Sequence, residues 1–351
     1  MGTPPTVVAE YGQTMKGSIE VAHAQVDAAA KAGAQAYKTQ LLNPVTIARR
    51  DAGTYWEHGR QVSGQQEAFG RAGLIDYRAW DDVAAHAWAE GLSFVATPFD
   101  LPAVDRLYAM RSDVVMKVAS GDLTNVPLLR AVAQASGSRI IIVSTGAARS
   151  SEVQDARDVI ADAGNAGLRV FWLACTLAYP TAPQDANLRR METLRTVCET
   201  DLVGYSDHVG SDMSAACATA LGARCLEVHT TLDPGEITDC PDDVHALGPL
   251  ALRRYVDAAA KAASMLGDPV LEPCAAEAPA RAAARRSICA VRNLSAGTVL
   301  RAEDLTCLRP GDGIDPRRWD DVIGCMVTTD VWANSAIPEG ALARRGPEPL
   351  R

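Results

Sequence analysis

The 28 residues from Gly204 to Thr231, GYSDHVGSDMSAACATALGARCLEVHTT, decide the fold. Two short apolar runs enclose an alanine-rich stretch with helical spacing, which predicts a strand, a helix and a second strand. The predicted strands lead to His208 and His229. Because the ends of consecutive parallel strands meet at one edge of a sheet, two imidazoles there can hold one metal ion. Either histidine alone would more often be an ordinary strand-end residue. The surrounding residues must therefore show whether the two form a metal site.

The same alternation runs through the first three quarters of the chain. Eight short apolar runs, each followed by a helix or a helix-bearing loop, are predicted as strands at residues 6–10, 36–40, 93–97, 114–119, 139–144, 168–175, 202–205 and 225–229. Strands that alternate with helices of this length favour a parallel sheet. Eight such units in about 265 residues predict an α/β fold of the (β/α)₈ TIM-barrel type over residues 1–268.

The sequence changes character after Gly267. Residues 269–284 are rich in proline and alanine and lack periodicity, so we interpret them as a linker. Residues 285–351 alternate short apolar pieces with turns, which predicts a small β-rich domain. A domain of about 65 residues has a thin core, and we therefore expect it to pack on the barrel or on another subunit.

The composition excludes some classes of partner and indicates a cellular compartment. A net charge of −9 argues against sequence-independent nucleic-acid binding, which needs a basic surface. We find neither a secretory signal nor a run of about 20 apolar residues that would predict a membrane span. The nine scattered cysteines form no CxxC pair and suit buried thiols in a reducing cytoplasm.

Polar residues fall at the carboxyl ends of the predicted strands, where TIM barrels carry their chemistry. Two lysines end separate strands, and a buried lysine is poorly tolerated without an anionic partner. Together with three nearby hydroxyls they predict a phosphate or carboxylate site formed by Lys38, Lys117, Ser120, Ser144 and Ser206. For any one of them, a salt-bridged position on a solvated rim is the commoner role.

Further candidates occupy the same predicted edge. His208 and His229 supply two neutral nitrogen ligands and leave positions open for substrate oxygens. This suits a catalytic Mn²⁺ or Mg²⁺ better than a structural zinc, which takes four protein ligands. Glu10 and Asp122 are carboxylates at other strand ends, and they either bind hydroxyls and transfer protons or pair with the lysines. In the small domain, Arg309 lies in the tight turn RPGDGI, where an exposed turn arginine is the simpler interpretation.

These residues stand in stretches that resemble the sialic acid synthase family (N-acetylneuraminate synthase and its legionaminate and pseudaminate relatives). In the barrel the matching stretches are AEYG, AGAQAYKTQ, FVATPFDLPAVD, MKVASGDLTNVPLL, STGAA, ACTLAYPTAP, GYSDH, GARCLEVHTTLD and CPDD. In the tail, ARRSICAVRNLSAGTVLRAEDLTCLRPGDGI and WDDVIG resemble the antifreeze-like (SAF) domain. Two domains that match in order over nearly the whole chain are a specific signal.

The resemblance implies condensation of phosphoenolpyruvate with a sugar aldehyde, N-acetylmannosamine or another aldose. The products would be a sialic-acid-like 3-deoxy-2-ulosonic acid and phosphate. It implies a divalent ion, Mn²⁺ first with Mg²⁺ or Co²⁺ as alternatives, bound by His208 and His229, and a catalytic role for Glu10. Phosphoenolpyruvate would be held by Lys38, Thr97, Lys117, Ser120, Ser144 and Ser206. The sugar would face Gln40, Asp122, Tyr179, Asp242 and Arg309. Arg309 would reach the partner's barrel, because the family forms domain-swapped homodimers.

The chain departs from the family pattern at five positions, Thr14, Met15, Asp122, Leu177 and Val228. The first two stand where the family has an Asn-His-Asn-Gly-like stretch. Asp122 replaces a glutamate, Leu177 a serine or asparagine, and Val228 a lysine. The loop of residues 58–59 shows no counterpart of an asparagine that some members use on N-acetylmannosamine. We interpret these as changes on the sugar side, and they predict an acceptor other than N-acetylmannosamine.

Two other classes of function stay open at this point. A metal-dependent barrel lyase or hydrolase would need a general base beside the histidines and no phosphate cradle. A carbohydrate-binding protein, or a spore-coat or polysaccharide-assembly protein derived from a synthase, is open because the sugar pocket is altered. Release of phosphate from phosphoenolpyruvate only when an aldose is present separates these hypotheses.

Overall fold

The computed structural model describes residues 2–12, 14–53, 64–71, 74–110, 113–135, 140–163, 167–235, 240, 242 and 244–344. The loop of residues 58–59 that the sequence singled out lies outside these ranges. The chain forms two compact units, Met1–Asp268 and Pro269–Arg351.

Eight parallel strands close into a barrel in which sequence neighbours pair and the last strand pairs with the first. The strands are β1 Thr6–Glu10, β2 Ala36–Leu41, β3 Ser93–Pro98, β4 Val115–Val118, β5 Ile140–Ser144, β6 Arg169–Cys175, β7 Val203–Asp207 and β8 Cys225–His229. The predicted (β/α)₈ fold is therefore confirmed. Strand β7 continues two residues beyond its predicted end, so Ser206 and Asp207 belong to the strand.

Helices follow the strands around the barrel. They are α1 Ile19–Ala32, α2 Pro44–Ile47, α3 Gln65–Arg71, α4 Trp80–Ala89, α5 Leu101–Met110, α6 Val126–Gln134, α7 Ser150–Asp162, α8 Arg190–Cys198, α9 Asp212–Ala220 and α10 Pro249–Leu266. Helix α1 illustrates how the sequence sets both ends of a helix. The Ser18 hydroxyl accepts from the N–H of Val21 at the start, and Gly33 ends the helix at φ +81°. Among the described residues, no helix combines the length and apolar character needed to cross a bilayer.

Alternate residues of each strand face opposite sides of the barrel wall. In β8, Leu226 and Val228 pack against the helices, whereas Cys225 packs inside the barrel. The next residues on the inner face, Glu227 and His229, line a cavity at the carboxyl ends of the strands. The period of two therefore carries polar side chains into one place from strands far apart in sequence.

The second unit begins with helical structure where the sequence predicted a linker. A 3₁₀ turn at Ala275–Glu277 leads into α11, Ala278–Ala284, and residues 268–286 are all exposed. Alanine favours helix on its own, but a helix without a buried face has no apolar stripe. The missing periodicity therefore reflected exposure rather than the absence of secondary structure.

The rest of the second unit is β-rich, as predicted. Strand β9 Ser287–Ala290 pairs antiparallel with β10 Leu305–Leu308, and β11 Met326–Val327 pairs with β12 Leu342–Ala343. A short helix, α12 Trp319–Val322, lies between β10 and β11 in sequence. A small apolar core is formed by Ile288, Leu294, Leu300, Ile314, Val322, Val327, Val331 and Ile337 with a few neighbours.

Candidate active site

A cavity of about 350 Å³ opens at the carboxyl ends of the barrel strands, a volume suited to small-molecule substrates. Every site residue predicted in the barrel lines it: Glu10, Lys38, Gln40, Thr97, Lys117, Ser120, Asp122, Ser144, Tyr179, Ser206, His208, His229 and Asp242. Arg309 lies in the second unit, where its side chain is exposed.

Two buried lysines and two buried glutamates form an ion-pair network at the base of this cavity. Nζ of Lys38 lies 2.5 Å from Oε2 of Glu10 and 3.8 Å from Oε2 of Glu227, and Nζ of Lys117 lies 3.8 Å from Oε1 of Glu227. Glu227 was not among the predicted site residues. The strand period could have found it, because it lies midway between inward-facing Cys225 and His229.

The network shifts the pKa values of its members in different directions. Burial alone would raise the pKa of Glu227, but the ammonium groups of Lys117 and Lys38 lower it to about 2. Burial alone would lower the pKa of Lys38, but the carboxylates of Glu10 and Glu227 outweigh it, so the pKa lies above its usual value. The pKa of Lys117 is lowered, because burial and the charge of Lys38 outweigh Glu227. An anion bound beside Lys117 would therefore favour its charged form.

Serine hydroxyls extend this network toward the mouth of the cavity. Nζ of Lys117 donates to Oγ of Ser144 over 2.6 Å, and Oγ of Ser206 donates to the carboxylate between the lysines over 3.0 Å. Oγ of Ser120 accepts from the backbone N–H of Gly146 over 2.9 Å. The hydroxyls are thus held by the protein and can re-orient toward a phosphate or carboxylate oxygen.

His208 and His229 come together as the sequence predicted. Their ring centroids are 5.3 Å apart, and Nδ1 of His208 lies 2.7 Å from the carbonyl oxygen of Thr176. Because a carbonyl only accepts, Nδ1 must carry the proton, which leaves the lone pair on Nε2. This is the arrangement by which proteins orient a metal-binding histidine.

A second carboxylate and a third imidazole lie beside His229. Nδ1 of His229 is buried and makes no hydrogen bond within the described part of the chain, and Oδ1 of Asp242 lies 3.4 Å from it. Burial would raise the pKa of Asp242, but His229 lowers it well below its usual range. Ligand atoms of His229, Asp242 and His245 all lie within 4.8 Å of one another. His245 was not among the site residues predicted from the sequence.

These donors fit a divalent ion. Nitrogen and carboxylate ligands lie close together, and among the described residues the buried Nδ1 of His229 has no hydrogen-bond partner. The charges agree, because the cavity is lined by two lysines and four carboxyl groups, those of Glu10, Asp122, Glu227 and Asp242. A phosphate would be repelled by such a balance unless a cation added positive charge.

The residues predicted to face a sugar lie at several places around the same cavity, in contact with the network and with the histidines. Nε2 of Gln40 donates to Oε1 of Glu10 over 2.7 Å, and the Tyr179 ring lies 4.2 Å from the His208 ring. Oδ1 of Asp122 accepts from Asn125 over 3.0 Å, while burial raises the pKa of Asp122.

Gly12, in the stretch AEYG, permits the close approach of Asp242 to the backbone that follows β1. It adopts φ +51°, and a Cβ there would lie 2.2 Å from Oδ2 of Asp242. Only glycine fits both requirements.

The structure corrects the assignment of all five departures to the sugar side. Asp122 and Leu177 line the cavity. Thr14, Met15 and Val228 are not among its described lining residues. Oγ1 of Thr14 donates to a backbone carbonyl over 2.6 Å, and Met15 and Val228 belong to the core between barrel and helices. Val228 alternates with Glu227 and His229, so it faces the other side of the barrel wall.

Comparison with known proteins decides the family. The NeuB family model matches residues 25–270, which is more than half of the chain, and the SAF domain model matches residues 285–343. The chain belongs to the NeuB family. This confirms the resemblance seen in the sequence, and NeuB enzymes of the sialic acid synthase type condense phosphoenolpyruvate with a sugar and depend on a metal.

Two relatives match this NeuB chain over nearly its whole length. It is 28% identical to an N,N'-diacetyllegionaminic acid synthase of Campylobacter jejuni, over 95% of this chain and 98% of the relative. It is 30% identical to a protein of the same name from Legionella pneumophila, over 94% and 92%. It is also similar to the crystal structure of a sialic acid synthetase from Leptospira borgpetersenii with citrate. That match has a TM-score of 0.68 and 27% identity, over 79% of this chain and 90% of the other.

Proposed function

We propose that the cavity binds phosphoenolpyruvate at Lys38 and Lys117 and joins it to a sugar aldehyde. The observation that carries this proposal is the pair of buried ammonium groups around Glu227, at the base of a cavity that also holds Ser144 and Ser206. Glu10 pairs closely with Lys38, but Nζ of Lys117 lies 3.8 Å from the carboxylate of Glu227, so the protein only partly offsets the burial of Lys117 and a bound anion would add to it. The carboxylate and phosphate of an enol phosphate match two cations with hydroxyl donors between them.

The reaction requires one bond to form on each of two carbons. C3 of phosphoenolpyruvate bonds to the aldehyde carbon, water adds at C2, and the bond from C2 to the phosphate oxygen breaks. The products are a 3-deoxy-2-ulosonic acid and inorganic phosphate, with no change in overall oxidation level. Lys38 and Lys117 would offset the charge of the phosphate and carboxylate throughout, and the hydroxyls of Ser144 and Ser206 would orient them.

Glu10 would accept the proton that the added water releases. Its Oε1 accepts from Gln40 and its Oε2 pairs with Lys38, so the carboxylate is fixed within the cavity. A fixed carboxylate at hydrogen-bonding distance from a reacting water can act as a general base.

We also propose that His208 and His229 bind the divalent ion, Mn²⁺ first, with Mg²⁺ and Co²⁺ as alternatives. When bound, such an ion supplies Lewis acidity that polarises the aldehyde oxygen. The hydrogen bond from Nδ1 of His208 to Thr176 holds the ring in the orientation this needs. Tyr179 packs against the same ring at 4.2 Å and limits its rotation.

The acceptor, in this proposal, is a sugar other than N-acetylmannosamine. Leu177 adds an apolar side chain to the cavity wall where the resemblance implies a hydrogen-bonding one, and Asp122 is one methylene shorter than the expected glutamate. Losing one hydrogen bond to a buried sugar hydroxyl costs about 1–3 kcal/mol, enough to change which aldose reacts. Thr14, Met15 and Val228 contribute nothing to this argument.

From the family resemblance we further propose that the protein forms a domain-swapped homodimer in which Arg309 of one subunit serves the partner's cavity. It would act in the cytoplasm, which is supported by its nine free cysteines, six of them buried.

The test is a panel of aldoses incubated with phosphoenolpyruvate and Mn²⁺, read by phosphate release and product mass. The panel should contain N-acetylmannosamine, unacetylated hexoses and diacetamido-hexoses. We expect phosphate release that depends on one aldose class, with a product heavier than that aldose by the added pyruvate unit. No aldose-dependent release would favour a sugar-binding protein, and turnover without phosphoenolpyruvate would favour a lyase or hydrolase.

A further inference from the structure

His245 lies in the segment that follows β8 and is tied to the end of that strand. The N–H of Leu247 donates to the carbonyl of His229 over 2.8 Å, and the N–H of Thr231 donates to the carbonyl of Leu247 over 2.9 Å. The N–H of His245 itself donates to the carbonyl of Asp242 over 3.2 Å. The backbone therefore fixes His245 relative to both His229 and Asp242.

The side chain of His245 enters the group formed by the other two cavity histidines. Its ring centroid is 4.7 Å from that of His229 and 5.9 Å from that of His208. If metal–nitrogen bonds are about 2.1 Å, three imidazoles on one ion place their ring centroids roughly 4.5–5.5 Å apart. Only the contact between His208 and His245 is longer than that, by a few tenths of an ångström, a distance that small ring rotations cover.

The chemical character of this group also points to an ion. Three imidazoles in one cavity can each offer a nitrogen lone pair to a single ion. A carboxylate oxygen of Asp242 lies among the same ligand atoms. Four ligands from one side would leave about two positions of a six-coordinate ion for substrate oxygens.

We propose that His245 is a third imidazole ligand of the divalent ion, alongside His208, His229 and Asp242. The proposal rests on the proposed ion site at His208 and His229, and adds a ligand that neither the resemblance nor the strand pattern supplied. A third imidazole ligand would make the site select among divalent ions. Mg²⁺ prefers oxygen ligands and keeps its waters, whereas Mn²⁺ and Co²⁺ accept imidazole readily. A site with three imidazoles should therefore discriminate against Mg²⁺.

A second group of possible metal ligands lies near the surface, and any ion bound there would add to the measured binding. Asp27, His86 and Glu90 lie within ligand distance of one another, and Nδ1 of His86 is 2.9 Å from Nδ1 of His23. This group is partly exposed and outside the cavity, so we assign it no role. The His86→Ala variant therefore serves both as the parent protein for the metal-binding measurements and as the matched histidine control.

The first experiment compares His86→Ala with His86→Ala/His245→Ala by calorimetric titration with Mn²⁺, Co²⁺ and Mg²⁺ in the absence of substrates. We expect one Mn²⁺ per chain in the parent. Loss of His245 should weaken Mn²⁺ and Co²⁺ binding roughly 10–100-fold, as for other groups that support a metal site, and change Mg²⁺ binding less than about threefold. The proposal is overturned if the double variant binds Mn²⁺ as tightly as its parent.

A second measurement needs no variant of the site and guards against misfolding. Pulsed electron paramagnetic resonance of Mn²⁺ bound to the His86→Ala protein should show nitrogen couplings from three imidazoles, and two would contradict the third ligand. The outcomes also separate this proposal from the one it rests on. A parent that binds no ion at the site removes both. A parent that binds Mn²⁺ with two nitrogen couplings removes only the role of His245.

Discussion

Lys117 on β4 and Glu227 on β8 meet across the interior of the barrel, with Nζ 3.8 Å from Oε1 and both side chains buried. Strands four apart face each other in an eight-stranded barrel, so this contact joins opposite walls. Glu227 also lies 3.8 Å from Lys38, which pairs in turn with Glu10. The carboxylate therefore keeps two cations together in a place where they would otherwise repel.

Replacing Lys117 with methionine should remove much of the affinity for phosphoenolpyruvate. A charged hydrogen bond contributes about 1.5–3 kcal/mol, and the Glu227 carboxylate, which would keep only Lys38 as a cationic partner, would then repel the substrate. We expect kcat/KM for phosphoenolpyruvate to fall by roughly 100-fold or more. The control is Lys261→Met on the exposed surface of α10, which should behave as wild type. Equal kinetics for the two variants would remove Lys117 from the site.

Glu227→Gln should change how stability depends on pH in chelator-treated protein. The folded-state pKa of Glu227 is lowered from 4.5 to about 2, since the lysines overcome the effect of burial. A depressed carboxyl pKa adds stability above the unfolded value, and this stability is lost as pH falls toward the folded value. The wild-type advantage in unfolding free energy should therefore be constant above about pH 5 and shrink by up to about 3 kcal/mol toward pH 2. Urea unfolding at several pH values measures it, and an advantage independent of pH would contradict the network.

Arg309→Ala tests the proposed exchange between subunits. If Arg309 serves the partner's cavity, Arg309→Ala and His208→Ala chains should each be inactive, while a hybrid dimer has one intact cavity. Random pairing of the two co-expressed chains should restore about a quarter of wild-type activity. Two different affinity tags allow the hybrid to be purified and assayed. A hybrid without activity would show that Arg309 does not act across subunits.

The sugar-side departures predict a shift in acceptor preference. Leu177→Ser and Asp122→Glu together should raise kcat/KM for N-acetylmannosamine relative to the preferred aldose by about 30-fold or more, since each hydrogen bond contributes about 1 kcal/mol or more. Leu250→Ser on the exposed face of α10 is the matched control. An unchanged ratio between the two sugars would mean that Leu177 and Asp122 do not select the acceptor.

The barrel could be predicted from the sequence because apolar runs and helical stretches alternate in a fixed order. The same local pattern located the strand ends, and with them His208, His229, Lys38 and Lys117. It did not lead to Glu227, although its position two residues from His229 carried the required information.

The positions of other residues in and near the site could not be predicted from the local sequence pattern. His245 lies in an irregular segment, and only the backbone hydrogen bonds to β8 bring it to His229. Thr14 and Met15 follow a cavity residue closely in sequence, yet the turn after β1 buries them away from the described cavity wall. Neither outcome follows from periodicity, because a turn has none.

Phosphoenolpyruvate labelled with ¹⁸O at the oxygen that joins C2 to phosphorus tests the central claim most directly. In the proposed reaction water adds at C2 and the bond from C2 to that oxygen breaks. With the accepted aldose and Mn²⁺, the released phosphate should therefore carry the label, and the sugar acid product should not. Phosphate release without aldose, or label retained in the organic product, would contradict the condensation proposed for this cavity.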